Sequence, residues 1–179
     1  SVVEGCDRAA RLVEQLLTLA RLEPESFEIK ESCDLRSITR EVIAELAPKA
    51  VSKNIELQLV AEQEAKMQGD AALLGILVRN LADNAVRYSP SDSAVHIRIQ
   101  SSGETIELSV CDQGPGIPEA EKARIWDRFY RVLGSGETGS GLGLSIVKQI
   151  ADLHHAEVET ASGDNGKGLC VNVKFKNQA

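Results

Sequence analysis

Four short clusters lie in a fixed order between Asn80 and Gly143, and they constrain the fold more tightly than the apolar pattern around them. They are Asn80-Leu-Ala-Asp-Asn84-Ala-Val-Arg87-Tyr88, Asp112-Gln-Gly114-Pro-Gly116-Ile117-Pro118, Asp127-Arg128-Phe129-Tyr130-Arg131 and Gly139-Ser-Gly141-Leu142-Gly143-Leu-Ser-Ile. Asn80 and Asn84 stand four apart and so share one helix face, with Arg87 and Tyr88 a turn further on. Asp112 ends the apolar alternation of Ile106-Glu-Leu-Ser-Val-Cys111, after which Gly114, Gly116 and Pro118 stop a strand or helix from continuing. Glycines at 134, 136, 139, 141 and 143 favour a mobile loop that ends at a helix start. Together the clusters describe a pocket built from one helix face, one strand end and one glycine-rich loop.

The remaining pattern interleaves strands and helices. A short strand is expected over Phe27–Glu31. Asp34 then caps a helix to about Ser52, because its carboxylate can accept from free first-turn N–H groups. Ile55–Val60 alternates as a half-buried strand does. Asp70 is a second N-cap, for a helix through Tyr88 that stops at Ser89-Pro90. Val95–Gln100 and Thr105–Cys111 read as paired strands around Ser102-Gly103. Helix returns from about Gly141 to Leu153, and strands at Glu157–Thr160 and Leu169–Phe175 close the chain. Irregular alternation with hairpins predicts an α+β fold, a two-layer α/β sandwich whose mixed sheet carries helices on one face.

A long N-terminal helix precedes this unit. Apolar residues recur at Val3, Cys6, Ala10, Val13, Leu17 and Ala20, and a second seam runs through Ala9, Leu12, Leu16 and Leu19. A helix with two seams has two faces to bury, as in a four-helix bundle. The expected division is therefore residues 1–24 as part of a helical bundle and 25–179 as the main domain.

In order and content the four clusters resemble the N, G1, F and G2 boxes of the ATP-binding domain of bacterial sensor histidine kinases, and Arg11-Leu-Val-Glu-Gln-Leu-Leu-Thr-Leu-Ala-Arg-Leu-Glu is similar to the end of that family's second dimerisation helix. The resemblance implies the Bergerat fold, ATP as substrate and Mg2+ as its metal. Asn84 becomes the magnesium ligand, since an amide oxygen plus phosphate oxygens satisfies a hard cation that keeps its waters. Asn80 supports the metal and phosphate region, Arg87 lies near phosphate, and Tyr88 lies beside base or ribose. Asp112 accepts from the exocyclic amine of adenine, which guanine lacks at that position. Gly114, Gly116 and Ile117 belong to the nucleotide-binding set. The glycine-rich segment becomes an ATP lid. Phe129 anchors its base against the core, and Arg128 or Arg131 reaches the phosphates. Gly141, Leu142 and Gly143 bring backbone and a helix N-terminus toward them. Without nucleotide, the lid from about Val132 to Gly141 is expected to be disordered.

Other nucleotide folds fail on context. Gly134-Ser-Gly136-Glu-Thr-Gly139 spells a dinucleotide fingerprint but neither directly follows a strand nor opens a βαβ unit with the required acidic residue. No G-x-x-x-x-G-K-[ST], H-R-D or D-F-G set occurs, which removes P-loop ATPases and eukaryotic-type kinases. Net charge of -7 argues against nucleic acid as a partner. Cys6, Cys33, Cys111 and Cys170 are widely spaced without C-x-x-C and read as buried thiols in a reducing compartment, with neither a disulfide framework nor a zinc site. No apolar run approaches the length of a membrane span, so a soluble chain without direct membrane contact is expected.

The resemblance further implies phosphoryl transfer to a histidine on the first dimerisation helix and then to a response regulator aspartate, in a homodimer anchored in the bacterial inner membrane. The catalytic part itself would be cytoplasmic. Related ATPases carry a water-activating glutamate where this chain has Asn80, and an amide is no general base. Hydrolysis is thereby disfavoured. None of His96, His154 or His155 lies in an H-E-x-R-x-P-like box, so the chain is expected to bind ATP without phosphorylating itself. An anti-sigma-factor-type serine kinase shares the pocket but not the two-seamed helix or the Phe129 cluster. A degenerate nucleotide-binding or dimerisation module would lack the chemically needed residues that all four clusters retain. The wording from Val78 to Pro90 is similar to quorum-sensing-type and to metal- or antimicrobial-responsive sensor kinases.

Overall fold

The computed structural model describes residues 2–20, 27–29, 31–61, 63–132 and 140–176, and the following statements concern those residues. The first helix, α1 (Val2–Ala20), precedes a short strand β1 (Ser32–Asp34) and the helix α2 (Leu35–Ser52). Strands β2 (Ile55–Val60) and β3 (Lys66–Gln68) lead into α3 (Ala71–Tyr88), which carries the Asn80 cluster. The hairpin β4 (Ser93–Ser102) and β5 (Thr105–Cys111) is followed by α4 (Gly143–Leu153) and the strands β6 (Glu157–Ser162) and β7 (Leu169–Lys176).

Both aspartate caps form as expected. Asp34 accepts from the Arg36 N–H at 3.1 Å, and Asp70 accepts from the Leu73 N–H at 2.9 Å. The expected strand over Phe27–Glu31 is displaced: Phe27–Ile29 is irregular, and the strand begins at Ser32, where Cys33 pairs with Met67 of β3. That pairing is non-local and leaves no local sequence signal. The final helix starts at Gly143, two residues later than expected, because Gly141 adopts a φ of 69° that a helix cannot contain.

The main sheet has the order β2-β4-β5-β7-β6, with β2 and β4 parallel and the other pairs antiparallel. Its inner face is the apolar half of each alternation: Val95, Ile97 and Ile99, then Ile106, Leu108 and Val110, then Val171, Val173 and Phe175, all buried. Helices α2, α3 and α4 pack over it, α3 between the other two. This is the expected two-layer α+β sandwich with helices on one face. The outer face stays polar.

Two polar devices hold α3 in register. Lys53, just past α2, donates from Nζ to the carbonyls of Val86, Arg87 and Ser89 at 3.0, 2.8 and 3.4 Å. These are the carbonyls that a helix end leaves without intrahelical partners, and a cation there also favours the helix dipole. Lys53→Met is expected to cost about 1–2 kcal/mol and lower Tm by roughly 2–8 °C in a calorimetric scan. At the other end, buried His154 accepts at Nε2 from the Asp70 N–H at 3.1 Å and donates from Nδ1 to the Ile150 carbonyl at 2.8 Å. Its ring also meets Phe27 and Phe175 edge-on. Burial holds its proton affinity below the ordinary histidine value near 6.5, more than the Ile150 bond and Asp70 raise it. A histidine buried neutral contributes its full stability above about pH 6.5 and loses it as pH falls below that, since the unfolded chain binds the proton more readily. Thermal scans between pH 7.5 and 5.5 should show Tm falling, with a shallower slope in His154→Gln.

In α1 the two seams have different fates. Leu12 and Leu16 pack against the core, whereas Val3, Val13 and Leu17 are exposed, at 69%, 55% and 53%. The second seam is therefore docked on the main domain at Leu12 and Leu16, and the first is uncovered. The expected boundary near residue 24 lies outside the described residues.

The reading of all four cysteines as buried thiols needs correction. Cys111 and Cys170 form a disulfide across β5 and β7, Cys6 is exposed, and Cys33 is half-buried. Sheet register makes the bond: the two residues are direct partners, although 59 positions separate them in sequence. Spacing in the sequence carried no trace of it.

Candidate functional site

A cavity of about 1130 Å³ opens where the half-buried polar face of α3, the end of β5 and the start of α4 meet. Asn80, Asn84, Arg87 and Tyr88 line it from α3, Asp112, Gly116 and Ile117 from the end of β5 and its turn, and Arg131, Gly141 and Gly143 from the segment before α4. The asparagine pair and the α4 terminus touch. A Cβ at Gly143 would stand 3.4 Å from Asn80 Oδ1 and 3.4 Å from both side-chain polar atoms of Asn84. Asn80 donates from Nδ2 to the Ile76 carbonyl at 2.9 Å, which commits the amide nitrogen to the helix and leaves the oxygen as the group offered to the cavity. The first-turn N–H groups of α4 supply positive potential at the same place.

Asp112 marks the opposite wall. The residue is 8% exposed, and Oδ1 accepts from the N–H groups of Gly114 at 2.9 Å and Leu169 at 3.1 Å. Among the described residues Oδ2 has no hydrogen-bond partner, so the carboxylate retains acceptor capacity for a ligand. Burial raises its pKa above the ordinary value, and the two backbone bonds only partly offset that. Gly114 is required sterically: a Cβ there would lie 2.5 Å from the Tyr88 carbonyl oxygen. It supports the wall from behind and does not line the cavity. Leu142 is likewise buried beneath it.

Arg87 is only 12% exposed and lies against Asp83, Nη2 to Oδ2 2.6 Å, while Lys49 from α2 pairs with the other Asp83 oxygen. Lys49 and Asp83 both line the cavity and were missed in the sequence. Asp83 sits inside the Asn80 cluster, but nothing local shows that Lys49, 34 residues away, reaches it. The apolar floor of Val110, Ile125, Leu169 and Val171 also escaped notice, because β7 joins the site only through sheet pairing.

Phe129 is not packed against the core as expected: the residue is 71% exposed and its backbone has a φ of 63°. The loop base is instead fixed through the backbone: the Phe129 N–H donates to the Gly141 carbonyl at 2.9 Å, and a Cβ on Gly141 would stand 2.8 Å from the Phe129 carbonyl carbon. Trp126, half-buried against the core, and buried Ile125 supply the inward contacts expected of Phe129. Arg131 reaches the cavity wall and Arg128 does not. Gly134, Gly136 and Gly139, and with them residues 133–139 of the lid expected to be disordered from about Val132 to Gly141, lie outside the described residues.

A helix face with two amides, a buried carboxylate at a strand end and a glycine-flanked helix N-terminus define a nucleotide-binding ATPase-type domain. The family model for "Histidine kinase-, DNA gyrase B-, and HSP90-like ATPase" matches residues 69–179, and the chain belongs to that family. Its sequence relatives include the swarming motility regulation sensor protein RssA of Serratia marcescens, 37% identical over 174 residues. They also include the sensor protein QseC of Escherichia coli K12, 41% over 164 residues, and the sensor protein kinase PmrB of Pseudomonas aeruginosa, 39% over 175. These alignments cover 95%, 90% and 96% of this chain but only 37%, 36% and 36% of the relatives. Among solved structures, the cytoplasmic segment of the histidine kinase QseC aligns with a TM-score of 0.67 at 32% identity, covering 96% of this chain and 95% of that one. The mycobacterial sensor histidine kinase MprB aligns with a TM-score of 0.74 at 29% identity, covering 82% and 97%. Within the family, this chain is an ATP-binding catalytic domain of the sensor histidine kinase type.

Proposed function

We propose that this chain binds magnesium ATP in the cavity and delivers the γ-phosphoryl group to a histidine on a helical hairpin. From there the phosphoryl passes to an aspartate of a response regulator. The observation that carries the reading is the apposition of Asn80 and Asn84 to the α4 terminus at one end of the cavity, with buried Asp112 at the other. One end suits phosphates and the other a base with a hydrogen-bond donor.

The residues also fit a magnesium ion. The donors at the phosphate end are neutral amide oxygens, and no group of three His, Cys, Asp or Glu able to hold a metal occurs among the described residues. Such a set suits a hard cation carried mainly by phosphate and water. Asn84 is the ligand in this reading, and magnesium when bound would neutralise charge on the phosphates. Asn80 orients that region, Arg87 and Arg131 face the phosphates, and Tyr88 and Ile117 flank the base. Asn80 also explains the choice of acceptor, because no general base stands there to activate water. Catalysis then rests on positioning and charge.

The uncovered seam of α1 supports residues 1–24 as part of a bundle shared with a second subunit, which suits a homodimer, and 25–179 as the catalytic unit. No helix among the described residues is long and apolar enough to cross a membrane; in a longer protein, anchoring in the inner membrane would come from other segments. The test is transfer of labelled γ-phosphoryl to an added histidine-bearing hairpin from a sensor kinase. Magnesium-dependent label on that histidine, reduced at least about tenfold in Asn84→Ala, is expected. Steady release of inorganic phosphate without labelled hairpin would contradict it.

A further inference from the structure

The disulfide lies where the nucleotide site and the solvent face of the sheet share two residues of backbone. Cys111 and Cys170 are direct partners on β5 and β7, with Cα atoms 4.0 Å apart. Both are half-buried on the outer face, in a row with His96 of β4 and Ala161 of β6. The next residue of β5 is Asp112 and the preceding residue of β7 is Leu169, and side-chain alternation turns Asp112 to the opposite face, toward the cavity. That junction is hydrogen-bonded both ways: the Asp112 N–H donates to the Leu169 carbonyl at 2.9 Å, and the Leu169 N–H donates to Asp112 Oδ1 at 3.1 Å. One covalent bond thus braces the two strands immediately beside the carboxylate that reads the base.

We propose that Cys111 and Cys170 form a reversible thiol–disulfide modification site whose redox state sets how firmly Asp112 is held, and so how tightly the cavity takes adenine nucleotide. The inference rests on the assignment of Asp112 to the base. The modifier is a dithiol or its disulfide, reaching the sulfurs from the outer face. A thiolate of the dithiol attacks one sulfur and the other cysteine leaves as thiolate. The second thiolate of the reagent then displaces the first cysteine. Two electrons pass to the protein, each cysteine takes up a proton, and the reagent ends as a disulfide. Oxidation runs the same exchange backward.

The brace acts by preorganisation. Without it, the cavity end of the β5–β7 ladder is held by hydrogen bonds only, the Asp112–Leu169 pair outermost, and fraying there loosens the carboxylate before a ligand can order it. A bond that merely stabilised the fold would change Tm and leave affinity alone. The test uses the 179-residue chain with Cys6→Ser, which removes the exposed thiol. It is equilibrated with reduced or oxidised dithiothreitol, its thiols are counted by mass after alkylation, and it is titrated with magnesium ADP.

The oxidised form is expected to expose one thiol, Cys33, and the reduced form three, with Cys111 and Cys170 added. The oxidised form should bind ADP about tenfold more tightly. Cys170→Ser should bind like the reduced form and ignore reductant; reduction of the unsubstituted pair makes the comparison independent of how that variant folds. Equal affinity in the two states, no change in thiol count, or a difference that survives Cys170→Ser would overturn the redox proposal while leaving the nucleotide site intact. Absence of ADP binding in both states would overturn the site assignment and the regulation with it.

Discussion

Asp112→Asn should weaken adenine-nucleotide binding about 100-fold while leaving the fold intact. The substitution keeps the shape and changes one hydrogen-bond character. The asparagine oxygen can still accept from the Gly114 and Leu169 N–H groups, which places its NH2 where Oδ2 of the aspartate faced the cavity. Two donors then meet, since the adenine amine is itself a donor. Loss of a hydrogen bond to a charged acceptor is worth about 1.5–3 kcal/mol, and a donor left facing a donor adds desolvation, so about 3 kcal/mol is the scale. Stability moves the other way. Burial raises the Asp112 pKa, so its contribution to folding is present below the ordinary value near 3.8 and is lost as pH rises through the raised folded value. Above that value the ionised group gives no such support, and the amide removes a charge that burial penalises. Calorimetric titration should therefore show the affinity loss beside a Tm that is unchanged or slightly higher. Unfolding of the variant would instead make Asp112 a structural residue.

Phe175→Ala should have the largest effect on stability, about 3–5 kcal/mol, with Tm lower by roughly 6–20 °C. Phe175 is 1% exposed on the inner face of β7, and its ring stands 6.4 Å from that of His154. Its removal leaves a cavity between sheet and helices and takes an apolar wall from the histidine that caps Asp70. The histidine then becomes more accessible to water, and its proton affinity moves back toward the ordinary value. A flatter dependence of Tm on pH in Phe175→Ala than in the parent would link the two; parallel curves would separate them.

How much of this could be read in advance follows the range of each interaction. The caps at Asp34 and Asp70, the Asn80–Arg87 face and the hairpin around Gly103 depend on neighbours within a few residues, and all were legible. Pairing between β1 and β3, the grip of Lys53 on the end of α3, and the Lys49–Asp83 pair join positions roughly 30 residues apart and left no local mark. The disulfide is the extreme case, fixed by sheet register alone. Phe129 differs in kind: its anchoring role came from the family resemblance and not from its neighbours, and here its ring is exposed while its N–H bonds to the Gly141 carbonyl. In α1 the doubled seam was visible, whereas the face that docks through Leu12 and Leu16 is chosen by the core beneath it.

The most direct measurement is calorimetric titration of the chain with ADP and GDP, each with and without magnesium. A site with Asn84 near phosphate and Asp112 at the base predicts one nucleotide per chain, ADP favoured over GDP by at least about 100-fold, and affinity that falls when magnesium is withdrawn. Equal binding of the two nucleotides by folded protein would contradict the role of Asp112. No binding of either would contradict the site itself.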